Sequence, residues 1–203
     1  MTQDTVKDKV KSEMEEKNKG VMPLGTKAPE FNLQDVKSGE FYTLEDFLEE
    51  KVLLVMFLSH GDPYTQHIGD GISKLADYYE GSGVSIVAIS SNDAENYEED
   101  SPGGLREMSE EFNFYFPILY DQSQETARDY TVIYTPDFFV FNEKGELAYH
   151  GQFDDARPGN DLPVTGKDLR DAIDALLSGK AVSKNQKPAN GTDIKWKPGN
   201  EPL

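Results

Sequence analysis

The chain has 203 residues, enough for one domain with a sizeable core and appendages but scarcely for two. Its 38 Asp plus Glu against 20 Lys plus Arg give a formal charge of −18, a surface that repels phosphate backbones and argues against a nucleic-acid partner. It has no cysteine, which excludes disulfides, thiolate metal sites, iron–sulfur clusters and every cysteine nucleophile.

Residues 1–20, MTQDTVKDKVKSEMEEKNKG, form a polar N-terminal arm without the apolar core of a signal peptide. Val6, Val10 and Met14 are spaced by four, which allows a short amphipathic helix or a disordered arm. No stretch approaches the ~18 consecutive apolar residues of a membrane span, so no membrane is expected and a cytoplasmic location is. Residues 31–35 and 40–43 flank the turn Val36-Lys37-Ser38-Gly39 and predict a β-hairpin. Thr43-Leu44-Glu45-Asp46 carries a capping-box signature for a short helix.

The run VLLVMFL, 52–58, has the length and composition of a strand buried on both faces. It leads through Ser59-His60-Gly61-Asp62 into a helix. Asp62 before Pro63 is a strong start, because the carboxylate accepts from free backbone N–H groups and proline suits the first helical position. Tyr64, Ile68, Ile72, Leu75 and Tyr79 then give an apolar face. VSIVAIS, 84–90, is a second buried strand, so strand, helix and strand make a right-handed βαβ unit.

The acidic stretch 91–104 predicts a long loop. Short helices at 105–112 and 124–130 surround FYFPILYD. Residues 137–141 and 146–153 predict a second hairpin across Asn142-Glu143-Lys144-Gly145. Thr165 is the expected cap of a last helix, 167–177, with Leu169, Ile173, Leu176 and Leu177 inward and Gly179 as its stop. Residues 181–203 read as an extended C-terminal tail in which only Ile194 and Trp196 offer something to dock with. Residues 21–180 are then one domain of the α/β class, a mixed central sheet flanked by helices, in the order of the thioredoxin fold with an N-terminal hairpin extension.

From Pro23 to Lys197 the sequence resembles the redoxin, AhpC/TSA peroxiredoxin-like branch of the thioredoxin superfamily. The segments that carry the likeness are MPLGTKAPEFNL, VLLVMFLSHGDPYTQH, VAISSND, TPDFFVFN, GQFDDARPGNDLPVTGKDLRDAIDALLSGK and IKWK. The resemblance implies thiol oxidoreductase or antioxidant activity, with cysteines at positions that here are Ser59, Asp62, Tyr134 and Thr192. Disulfide exchange and cysteine-based peroxide reduction both need a thiolate, so that chemistry does not carry over. The resemblance also implies a cis peptide before Pro136 and an extended chain pairing with the backbone ahead of it, a form of strand addition that needs no sulfur.

No catalytic residue and no cofactor are assigned. Asp62 reads as a helix cap and Ser59 as a solvent-exposed turn serine, since the adjacent His60 is badly placed to be its base. The expected function is that of a binding or scaffold module. It takes a polypeptide or small molecule on Ser59, His60, Gly61, Asp62, Tyr134, Thr135 and Pro136, with Phe57, Tyr64 and Tyr97 as possible aromatic contributors. The alternative is a cysteine-independent enzyme, metal-assisted or hydrolytic, using His60, Asp62 and His67, with His150 and Asp70 as further ligands. No metal is expected: scattered histidines are usually structural, His67 matches a histidine common in the relatives, and His150 stands where arginine is frequent. Asp154, Asp155 and Arg157 suggest an Asp–Arg clamp holding a loop.

Overall fold

In a computed structural model, residues 21–202 of the chain are described; the arm 1–20 lies outside them. The central strand β3, Val52–Phe57, is buried at every position. Its period-2 pleat sorts alternate side chains onto opposite faces. Val52, Leu54 and Met56 enter one apolar cluster; Leu53, Val55 and Phe57 enter the other.

On one side β3 pairs in parallel with β4, Val84–Ser90, and on the other antiparallel with β7, Asp137–Asn142. The seven-stranded sheet runs β2-β1-β5-β4-β3-β7-β8, where β1 is Asn32–Asp35, β2 Phe41–Thr43, β5 Ile118–Tyr120 and β8 Leu147–Gly151. The first face is covered by α1, Pro63–Tyr79, α2, Pro102–Glu111, and α4, Lys167–Leu177. The second face is covered by α3, Glu125–Asp129, with Met22, Phe31, Phe47 and Ile194. This is the mixed, helix-flanked α/β sheet of the thioredoxin fold, with the β1–β2 hairpin at its edge. Among the described residues no helix is long and apolar enough to cross a membrane.

Local signals act as the sequence predicts at several ends. Asp62 caps α1 by accepting from the Tyr64 and Thr65 amides at 3.2 and 3.0 Å. Asp46 closes a 3₁₀ turn at Leu44–Phe47 by accepting from the Thr43 amide and hydroxyl at 2.7 and 2.9 Å.

Two expectations are corrected and one strand not foreseen is found. The loop 91–104 is shorter than expected, because Glu98–Asp100 form a 3₁₀ turn and α2 starts at Pro102. Ser101 accepts from the Gly104 amide at 3.2 Å, so Ser-Pro acts here as Asp-Pro does in α1. Within FYFPILYD lies the interior strand β5, between β1 and β4, its brevity and the preceding proline having hidden it. The N-cap of α4 is Gly166, in a left-handed conformation, and not Thr165: the Asp154 carboxylate holds this corner by accepting from the Thr165 and Gly166 amides at 2.6 and 2.7 Å, while the Thr165 hydroxyl accepts only a long 3.3 Å bond from Lys167.

Candidate functional site

The turn between β3 and α1 is closed over by a buried carboxylate that comes from the acidic loop. Asp100 is 1% exposed; it accepts from the Ser59 hydroxyl at 2.8 Å, the His60 amide at 2.7 Å and the Asn92 side chain at 2.7 Å. Burial pushes its carboxyl above the usual range, against the opposite pull of the hydrogen bonds from Asn92, Ser59 and His60. Ser59 is therefore no solvent-exposed turn serine. It is 2% exposed, because the chain leaving β4 returns across the turn and places Asp100 on it. Its hydroxyl donates to a carboxylate, and among the described residues no histidine hydrogen-bonds to it, so it lacks the usual activation of a nucleophile.

Asp62 is equally committed. Besides the two cap amides, its carboxylate accepts from the Thr65 hydroxyl at 2.9 Å and the Thr192 hydroxyl at 2.5 Å. The last bond joins two of the four positions where the resemblance implies cysteine. Thr192 arrives there because the tail is built into the fold: β9, Thr192–Asp193, pairs antiparallel with β6, Tyr134–Thr135. Ile194 donates its amide to the Ile133 carbonyl at 3.0 Å and buries its side chain in the second core. Further along, Lys195 donates its amide to the Asn92 side chain at 2.9 Å, and Lys197 donates its amide to Gln124 at 2.8 Å. Gly191 lies so close that a Cβ there would come within 1.9 Å of the Thr135 carbonyl oxygen. The backbone ahead of the cis Thr135–Pro136 peptide is thus already occupied by the chain's own residues.

Of the predicted contact residues, the structure brings Ser59, Gly61, Asp62 and Thr135 around one recess of about 110 Å³, with Tyr97, Thr192 and Lys195 also on its walls. Gly61 is exposed, His60 and Tyr134 are half-buried, and Pro136 is buried. Tyr97 is partly exposed, with the Lys195 ammonium 5.8 Å from its ring centroid, and Tyr64 is half-buried. Phe57 cannot contribute to a surface. It is fully buried, 5.3 Å from Tyr130 and 5.8 Å from Phe139 between ring centroids, because it faces the second core and not the turn.

The histidines are held by different elements. His60 Nε2 lies 3.4 Å from Glu111 of α2, His67 is exposed on α1, and His150 Nε2 lies 3.0 Å from Asp137 of β7 with its ring stacked on Phe139. Asp70 is exposed on α1. Among the described residues no three His, Asp or Glu side chains form a group able to hold a metal ion. Arg157 does not clamp a carboxylate either: it donates to the Asp154 and Ala156 carbonyls, both at 2.6 Å, and to Gln152, because the Asp154 carboxylate is used on α4. Asp155 pairs instead with Lys187 at 2.6 Å.

Sequence reasoning missed Asn92, Asp100 and Asp137 as members of these networks. Asn92 and Asp137 stand beside strand ends, which hinted at them; nothing in the acidic run singled out Asp100. Asp137 is buried with its carboxylate against Nε2 of His150, and burial pushes its carboxyl up against the lowering effect of His150.

Comparison with known proteins adds family and fold. The AhpC/TSA family model matches residues 24–150, more than half of the chain. The structure is similar to that of a hypothetical protein from Sinorhizobium meliloti 1021, with 43% identity over 88% of this chain and 97% of that one and a TM-score of 0.86. It is also similar to an uncharacterised conserved protein from Geobacillus kaustophilus, with 45% identity over 87% and 94% and a TM-score of 0.85. A secreted Mycobacterium tuberculosis disulfide oxidoreductase shares the fold at 16% identity, over 71% of this chain and 95% of that one, with a TM-score of 0.56. No curated protein matches. On the family model and on these two relatives above 40% identity, the chain belongs to the AhpC/TSA family, as a member without cysteine.

Proposed function

We propose that this protein is a redox-silent redoxin that works as a binding or scaffold module in the cytoplasm, through the face formed by the former active turn and the cis-proline loop. The observation that carries this reading is the 2.5 Å bond between Thr192 and Asp62. Two positions at which the resemblance implies thiols are instead tied to each other, and Ser59 is tied to Asp100. A hydroxyl and a carboxylate cannot form and release a disulfide, so these side chains maintain shape and carry out no exchange.

The groups left to meet a partner are Gly61, Tyr134, the edge of His60 and the Tyr97–Lys195 pair. A polypeptide that pairs with the backbone before Pro136 must displace residues 191–194. No observation favours the metal-assisted or hydrolytic alternative, since Asp62 already accepts four hydrogen bonds and His67 is exposed on α1 and does not line the recess.

Insulin reduction and peroxide consumption by the purified chain, with chelator present, test the redox-silent part. Rates at the buffer background are expected; turnover that follows the protein through purification would overturn the reading.

A further inference from the structure

A second, larger cavity lies away from the turn, between residues 21–24, the loop 131–134 and tail residues 184–189. Its volume of about 510 Å³ falls in the range of small-molecule sites, roughly 300–1,000 Å³. Val21, Leu24 and Ile133 line it and remain 44, 45 and 43% exposed. They are three of the nine large apolar side chains exposed among the described residues, so exposed apolar surface concentrates here.

The cavity also has a polar set. Asp137 and His150 line it as a hydrogen-bonded pair, and Lys184, which makes no ion pair among the described residues, lines it from the tail. Two of the four buried side-chain polar atoms without a hydrogen-bond partner belong to lining residues, Thr131 Oγ1 and His150 Nδ1. A buried polar atom left unsatisfied is costly and calls for an explanation. Thr131 is costly in a second way. It follows the end of α3 with φ of 55°, a left-handed conformation suited to Gly or Asn and strained for a β-branched residue.

We infer that this cavity binds a small apolar carboxylic acid, its hydrocarbon part on Val21, Leu24 and Ile133 and its carboxyl group taken by Lys184, Thr131 and His150. The walls select an apolar body, and the polar set selects the carboxyl. With Nε2–H donated to Asp137, Nδ1 of a neutral His150 is an acceptor and Nδ1 of the imidazolium is a donor. A carboxyl group satisfies either form, since the acid donates and the carboxylate accepts. A cation is disfavoured because both Asp137 oxygens are engaged, Oδ1 by the Phe138 amide at 2.9 Å and Oδ2 by His150. The net charge of −18 opposes an anion only at long range, where salt screens it within about 8 Å at physiological ionic strength.

Calorimetric titration of the full chain with decanoate, and with decyltrimethylammonium as the cationic counterpart, tests the inference. Saturable one-to-one binding of decanoate is expected, with the cation at least about tenfold weaker, the scale of one charge-assisted hydrogen bond. Ile133→Glu, Lys184→Glu and Thr131→Gly should each weaken decanoate by about tenfold or more while circular dichroism stays native. All three replace accessible or strained residues, so folding is retained and the readout is affinity. Absence of saturable binding, equal binding of the cation, or unchanged affinity in both Glu variants would overturn the proposal.

Discussion

Asp100 is the residue on which the turn depends, and its ionisation gives it a distinctive pH signature. Its carboxyl is raised by burial, so between the ordinary value of 3.8 and the raised one the folded state holds more protons than the unfolded state. Stability contributed by this group is full below the unfolded value and is lost as pH rises through that window, opposite in sign to a salt-bridged aspartate. Asp100→Asn removes the effect and misplaces a donor against Asn92, at a cost of about 1–3 kcal/mol from unsatisfied partners. Urea unfolding should therefore show a larger cost for Asp100→Asn near pH ~4 than near pH ~7. The reverse trend would mean that the hydrogen bonds from Ser59, His60 and Asn92 outweigh burial. None of this was legible in the acidic run Glu98-Glu99-Asp100, whose composition reads as solvated surface; one member of it turns inward because the 3₁₀ turn rotates it there.

The tail is the element whose behaviour departs most from its composition. Proline-rich and polar from Lys180 onward, it reads as extended, yet β9 adds a strand to β6 and Ile194 reaches the core. The sequence singled out Ile194 and Trp196 as docking residues without showing where they dock. Gly191 tests how tightly the tail sits. A Cβ there meets the backbone carbonyl of Thr135 rather than a flexible side chain, so Gly191→Ala must push the strands apart. The expected cost is about 1–3 kcal/mol, the scale of an overpacking change. Hydrogen exchange should show loss of protection at the Ile194 amide, which bonds to Ile133, before any loss in β3. Unchanged exchange there would mean that the pairing adjusts without strain. Because the same segment covers the edge of β6, its release also uncovers backbone donors that invite pairing with other chains.

For the molecule as a whole, stability rests on a sheet packed on both sides and not on the surface charge. Leu54 is fully buried in the first cluster; Leu54→Ala removes methyl groups that the two layers cannot fully close over, at a cost of about 2–5 kcal/mol by denaturant titration. Exposed ion pairs such as Lys187–Asp155 contribute far less, about 0–1 kcal/mol each, so raising the salt should change the midpoint little through them. The redox-silent reading also belongs to this scale, since the fold retains the position of a thiol centre while the chain contains no sulfur nucleophile.

The sequence alone determined the buried β3, the βαβ unit, the Asp62-Pro63 helix start and the exclusion of thiol chemistry. These depend on residue type and on spacing within a few positions, where periodicity and capping act. The tertiary structure alone decided that Ser59 meets Asp100, 41 positions away, and that Asp62 meets Thr192, 130 positions away. It also decided that the tail fills the edge before Pro136 and that a separate cavity opens beside Thr131. Such pairings follow from the path of the chain between elements, which local hydrophobic patterning does not encode, and from burial, which turns a surface carboxylate into the acceptor at the centre of a network.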